Sequence, residues 1–173
     1  MRKSGNSKVF LQRFSIYYML SLIAGHDCSL DAKGRVLLPG SLKKQLMPVL
    51  EQGFVIKRSM FNPCLEVYPR PVWDKQMKLI GRLNRFIKKN NDFIRLFMAG
   101  VREVDLDNAG RLQIPKDLVV FAELKTDIVI ASLSEILEIW DKEKYEAHFS
   151  NSDNIDKEAL AEDVMGNISM DDE

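Results

Sequence analysis

The chain has 173 residues, 46% of them hydrophobic and 29% charged, which is enough apolar surface for one ordinary domain or two small ones around a shared core. That excludes a multi-domain enzyme and a chain too polar to fold. Net charge is zero with pI about 6.8, yet residues 151–173 hold eight acids and one base, leaving 24 Lys and Arg against 17 Asp and Glu in the first 150. The acidic end masks a basic body, and a basic body suits an anionic partner.

Cys28 and Cys64 offer at most one pair, too little for a disulfide framework, and point to a reducing compartment. No apolar run reaches the length of a membrane span. At the N-terminus MRKSGNSKVFLQRF followed by SIYYMLSLIAG imitates a secretory signal, but cleavage near Ala24 and Gly25 would cut the apolar segment that leads into the first motif. Residues 1–18 read instead as an appendage, with Met19 as a second candidate start.

In chain order, Leu20 to Leu30 is apolar and partly alternating, a strand, and Asp31 to Gly34 is a turn with glycine where positive φ is wanted. Arg35 to Leu38 returns as a strand. Pro39 fits the first turn of a helix whose apolar face is Leu42 and Leu46 and which Pro48 stops. Phe54 to Lys57 and Leu65 to Tyr68 make a second hairpin, followed by a helix from about Pro71 or Val72 with Trp73, Met77 and Ile80 on one side. Residues 82–98 read as a basic helical connector in which Arg82, Arg85, Lys88, Lys89 and Arg95 interleave with Leu83, Phe86, Ile87, Phe93 and Phe97.

The second half repeats the first. DAKGRVLLP at 31–39 returns 76 residues later as DNAGRLQIP at 107–115, and CLEVY at 64–68 returns after 72 as ILEIW at 136–140. Strands at 101–106 and 111–114, a helix from Pro115 to about Ala122, strands at 127–131 and 136–140 and a helix from Asp141 to about Phe149 follow. The spacing predicts a tandem duplication of about 50 residues per unit, each unit a β-hairpin, helix, β-hairpin and helix in an α/β chain of the α+β type related by a pseudo-twofold. Boundaries fall at 1–18, 19–81, 82–98, 99–149 and 150–173, the last a disordered acidic tail.

Several chemistries fail on the repeated motif. Asp105, Asp107 and Gly110 start like a calcium loop, but Ala109 and Lys116 stand where ligands are needed, and in the other copy Lys33 puts a cation at a ligand position. His26, Cys28, Cys64 and His148 are too scattered for zinc. A phosphate-cradling glycine loop, a nucleophile elbow and a paired-carboxylate site are all missing, so neither an enzyme nor a cofactor is expected.

What remains is a turn carrying an arginine, twice. One reading is structural: Asp31 caps its own turn and pairs with Arg35, as Asp107 does with Arg111. The other is that the aspartate orients the arginine, with Lys33 as a helper, toward DNA, where a guanidinium grips a phosphate or the O6/N7 edge of guanine. Several weak contacts on one assembly reinforce each other, which gives the duplication a purpose. Arg82, Arg85, Lys88 and Lys89 are secondary candidates for phosphate contact, and the apolar groups around Phe86, Phe93 and Phe97 for self-association.

The two D-x-x-x-R motifs, in the frames LDAKGRVLLP and LDNAGRLQIP, together with RLFMAG just before the second unit, resemble the MraZ family of bacterial transcriptional regulators over about residues 19–149. The resemblance implies two AbrB-like swapped-hairpin units, ring-shaped homo-oligomers, and binding to tandem promoter repeats upstream of the division and cell-wall gene cluster. It implies repression there by a cytoplasmic, nucleoid-associated protein. The competing reading is an oligomeric ring that serves as a protein-interaction scaffold or antitoxin-like adaptor, its arginines gripping an acidic partner.

Overall fold

Strand β1 (Gly25–Ser29) enters the first motif turn and β2 (Arg35–Leu37) leaves it, in a computed structural model that describes residues 20–150 and 155–166. The expected appendage at 1–18 and parts of the expected tail, 151–154 and 167–173, lie outside the described residues.

These two strands do not form the simple hairpin the sequence suggests. They touch through one bridge, Leu30 with Val36, and then part. β1 pairs antiparallel with β7 (Asp127–Leu133), while β2 pairs with β6 (Arg111–Gln113), its own counterpart in the second unit. The reason is burial: a three-residue strand has one inward side chain, and crossing the two return strands sets Val36 (0% exposed) directly against Leu112 (2%) over the core. β1 also starts later than expected. Upstream of it the Gln45 side chain accepts from the Ile23 N–H and donates to the Ile23 carbonyl, both at 2.9 Å, and so takes that residue out of the ladder.

The remaining strands are β3 (Phe54–Arg58), β4 (Leu65–Pro69), β5 (Arg102–Val104) and β8 (Ile136–Asp141). They join β1 and β7 in a six-stranded antiparallel sheet of order β1-β7-β8-β4-β3-β5. Exchanging the two units leaves this order unchanged, so a pseudo-twofold passes between β4 and β8, where Glu66 stands opposite Glu138. The tandem duplication is thus an interleaved pair in which each unit lends an edge strand to the other.

Two prolines start two short helices. Pro39 and Pro115, with φ of −54° and −57°, precede α1 (Gly40–Leu46) and α4 (Lys116–Phe121), which bury Leu42, Leu46 and Leu118. With the crossed β2–β6 ribbon they cover one face of the sheet, against Phe54, Ile56, Leu65, Val67, Ile128, Ile130, Leu137 and Ile139. The gap left between ribbon and sheet is about 10 Å³, room for no more than one water.

Alternate residues of the same strands face the other way. Val55 and Tyr68 join Trp73 and Ile80 of α2 (Arg70–Ile80) and Phe97 of α3 (Lys88–Phe97) in a second cluster. On that face the buried Lys57 ammonium pairs with Glu66 at 2.8 Å and lies over the Phe97 ring at 4.5 Å, and Glu66 also accepts from the Tyr68 hydroxyl at 2.7 Å. Burial and the Glu66 hydrogen bond push the Tyr68 hydroxyl pKa up, and burial with the neighbouring Glu138 pushes the Cys64 thiol up to about 12.

The expected helix over 82–98 is shorter, covering only Lys88–Phe97. Asparagines unwind its first part: the Asn84 side chain accepts from the Phe86 N–H, and the Asn90 and Asn91 amides donate to the Asn84 and Arg85 carbonyls. Phe97, expected at an oligomer surface, is a core residue stacked 5.7 Å from Trp73, whereas Phe86 is fully exposed.

The described residues beyond Lys142, the last residue of the first compact unit and the first of the next helix, form a separate unit. It holds α5 (Lys142–Ser150), where Tyr145 and Phe149 meet edge to face, and α6 (Lys157–Met165), capped by the Asp156 carboxylate accepting from the Ala159 N–H at 3.0 Å. α6 lies in the stretch expected to be without structure; that acid cap and an Ala/Leu/Glu-rich run explain it. No helix among the described residues is long and apolar enough to cross a membrane.

Candidate nucleic-acid interface

The first motif turn is organised by one carboxylate. Asp31 Oδ1 accepts from the Lys33 and Arg35 N–H groups, each at 2.9 Å, and Oδ2 accepts from Arg35 Nε at 2.8 Å and lies 2.7 Å from Nη2. The backbone closes the same loop, with the Asp31 N–H donating to the Arg35 carbonyl and the Gly34 N–H to the Asp31 carbonyl. The Arg35 side-chain hydrogen bond, aided by the backbone N–H groups, lowers the Asp31 pKa from 3.8 to about 2.

The second turn repeats the three hydrogen bonds to the carboxylate. Asp107 Oδ1 accepts from Ala109 N–H at 2.9 Å and Arg111 N–H at 3.0 Å, and Oδ2 accepts from Arg111 Nε at 2.8 Å. Its pKa is likewise lowered, chiefly by the Arg111 backbone N–H. Gly34 and Gly110 take φ of +76° and +79°, the left-handed conformation the turn needs.

Both parts of the structural reading are therefore present: the aspartates cap their turns and pair with their arginines. The pairing does not hide the arginines. Arg35 and Arg111 side chains are 26% and 36% exposed, and the Nη1 of each has no partner among the described residues. Since Val36 and Leu112 point into the core, Arg35, Leu37, Arg111 and Gln113 share the outward face of the ribbon. The register sets Arg35 beside Gln113 and Arg111 beside Leu37. Two residues of rise and one strand spacing put the two arginine Cα atoms about 8 Å apart.

Each turn is also gripped by the opposite unit. The Ile114 N–H donates to the Gly34 carbonyl at 2.8 Å, and the Leu38 N–H to the Gly110 carbonyl at 3.2 Å. The Gln113 amide adds bonds to the Lys33 carbonyl at 2.8 Å and the Gly34 carbonyl at 3.2 Å. Gln113 escaped the sequence reading because its counterpart is Leu37, and its partner becomes visible only once the strands cross.

Lys33 is exposed on the first turn, where the sequence placed it. Arg82, Arg85, Lys88 and Lys89 are exposed too, but they flank or begin α3, on the sheet face opposite the ribbon, and Lys88 pairs with Asp92 at 2.6 Å. The structure does not bring them together with the motif arginines. His26 contacts Ser41 at 3.2 Å, Cys28 and Cys64 are free thiols, Cys28 only half-buried, and no metal-binding cluster occurs among the described residues.

Two β–turn–β–helix units interleaved through a crossed ribbon, each turn locked by an aspartate onto its arginine, define a double-unit protein of the AbrB-like swapped-hairpin class. Residues 22–96 and 97–167 each match the family described as "MraZ protein" and, in the same description, as antitoxin-like. The chain is 54% identical to a protein of Christiangramia forsetii over 88% of this chain and 98% of the relative, and 53% identical to one of Flavobacterium psychrophilum over 88% and 97%. A relative from Phocaeicola vulgatus is 32% identical over 85% and 95%. All three bear the name transcriptional regulator MraZ. The chain belongs to the MraZ family.

Proposed function

We propose that the chain is a transcriptional regulator that binds double-stranded DNA through the outward face of the β2–β6 ribbon. The observation that carries this is the placement of Arg35 and Arg111 on one face, each held by its aspartate with a guanidinium edge free. A two-stranded ribbon fits a major groove about 12 Å wide, where an arginine reads the O6/N7 edge of guanine or holds a phosphate. The fixed turns remove the entropy that a mobile arginine would lose on binding. Asp31 and Asp107 orient, Arg35 and Arg111 contact, and Lys33 adds charge.

Family membership extends the reading to repression, in the cytoplasm and at the nucleoid, of the division and cell-wall gene cluster. The targets are tandem promoter repeats, bound by a ring-shaped homo-oligomer so that successive turns engage as linked events. The relatives carry regulator names, in keeping with a chain that is not an enzyme.

The test is a fluorescence-anisotropy titration against duplex DNA from upstream of its own gene at several salt concentrations. Log affinity is expected to fall linearly with log salt, and Arg35→Ala with Arg111→Ala to abolish preference for that DNA over a scrambled duplex. Affinity indifferent to salt, or unaffected by the double substitution, would favour a scaffold for an acidic protein instead.

A further inference from the structure

The two turns differ in charge along the chain, because Lys33 of the first is replaced by Ala109 in the second. The fold alters that count. Each motif turn lies against the short helix of the opposite unit, so the residue flanking a turn comes from the other half of the chain. Over Gly110 that residue is Lys43 of α1, with Nζ 2.5 Å, Cε 3.2 Å and Cδ 3.6 Å from the point where a glycine Cβ would stand. Over Gly34 the nearest atoms are the Ile114 carbonyl oxygen at 3.1 Å and Gln113 Nε2 at 3.4 Å, and the α4 residue that reaches the corresponding point is Val119, its Cγ2 at 3.8 Å. Lys43 and Val119 are themselves counterparts, 76 residues apart.

Lysine and small residue have therefore changed places between the halves. The first turn has a lysine within it and valine from the opposite helix; the second has alanine within it and lysine from the opposite helix. The missing Cβ of Gly110 leaves the space into which the end of the Lys43 side chain runs, and the residue is half-buried. Nζ makes no hydrogen bond or ion pair among the described residues. A cleft of about 410 Å³ opens beside it, lined by Glu51, Asp105, Asp107 and Asn108 as well as Lys43. Had the lysine served only to neutralise those carboxylates, its flexible head would be expected in contact with one of them. It rests on the turn instead.

We propose that Lys43 supplies the second motif with the cation that Ala109 omits, so that each turn offers one arginine and one lysine to a DNA phosphate. The assignment rests on the DNA-binding reading above. It makes the two halves comparable in charge while differing in where the lysine originates, and it adds a contact residue outside both D-x-x-x-R motifs.

The experiment measures the salt dependence of binding to the duplex from upstream of its own gene for wild type, Lys33→Met, Lys43→Met and the double variant, since methionine keeps the apolar stem and removes the charge. Each single change is expected to reduce the log–log slope by about 1 and the double change by about 2. Adding Ala109→Lys to Lys43→Met is expected to restore the lost slope. A slope for Lys43→Met equal to that of wild type, with wild-type binding intact, overturns the assignment and leaves the DNA reading standing. A wild-type protein with no salt-dependent DNA binding removes both. Thermal melting of each variant accompanies the titration: a Lys43→Met protein that melts lower but keeps its slope has lost only a neutralising partner for Glu51 and Asp105, which also counts against the proposal.

Discussion

Val36 and Leu112 stand directly opposite each other at the centre of the ribbon, one from each unit, and both are sealed against the sheet. The ribbon's inner surface is thus made by residues 76 positions apart, and neither unit closes its core alone. Truncating either side chain opens a cavity beneath the arginine-bearing face. Leu112→Ala is expected to lower unfolding stability by about 2 to 5 kcal/mol, measured by chemical denaturation, and to weaken DNA binding beyond what the unfolded fraction accounts for. Undiminished affinity of the folded fraction would mean that the ribbon need not be rigid.

Arginine and aspartate of one motif are expected to fail differently. Arg111→Ala leaves the Asp107 carboxylate still accepting from the Ala109 and Arg111 backbone N–H groups, so the turn persists while a DNA contact disappears. A drop in specific affinity of about 5- to 150-fold is expected, the equivalent of roughly 1 to 3 kcal/mol per arginine fork, with a small change in melting temperature. Asp107→Ala loses the turn as well and is expected to lower both. Equal melting losses with unchanged DNA affinity would reduce the pair to a structural brace.

Acid should loosen the first turn in a defined window. The Asp31 pKa is about 2 in the folded chain against an ordinary 3.8, so the unfolded chain takes up the proton first as pH falls. Stabilisation from this carboxylate is complete above the ordinary value and is lost as pH drops toward 2. The melting-temperature gap between wild type and Asp31→Asn is expected to be constant above about pH 5 and to close between pH 4 and 2. A gap that stays open at pH 2 would contradict the charge-assisted bond.

On the far face of the sheet, Lys57 is fully buried against Glu66. Lys57→Met strands that carboxylate next to Glu138, its neighbour across β4 and β8, and is expected to cost about 3 to 5 kcal/mol by denaturation. Adding Glu66→Gln is expected to recover part of the loss. Two independent, additive losses would show that the buried pair is not coupled.

Much of this was legible in sequence because the chain states it twice. The offset of 76 placed both turns, glycine and proline marked their conformations and the helices that follow, and Asp31 and Asp107 cap as their position in the turn suggested. The crossing of β2 with β6 was not legible from residue pattern, since three-residue strands carry too little alternation to name a partner; it entered only through the family resemblance. The apolar spacing of 82–98 predicts too long a helix, because in the fold the Asn84, Asn90 and Asn91 side chains compete for the backbone. Lys43 went unnoticed for a further reason: its neighbour Gly110 is 67 residues away, in the other unit.

Joining the halves in one polypeptide freed them to drift apart, and they have: Leu37 answers Gln113, and Val119 answers Lys43. A dimer of identical single units would be confined to palindromic partners, reading the same from either end. This ribbon has a head and a tail, so on the proposed DNA-binding reading the site that complements it carries an arrow.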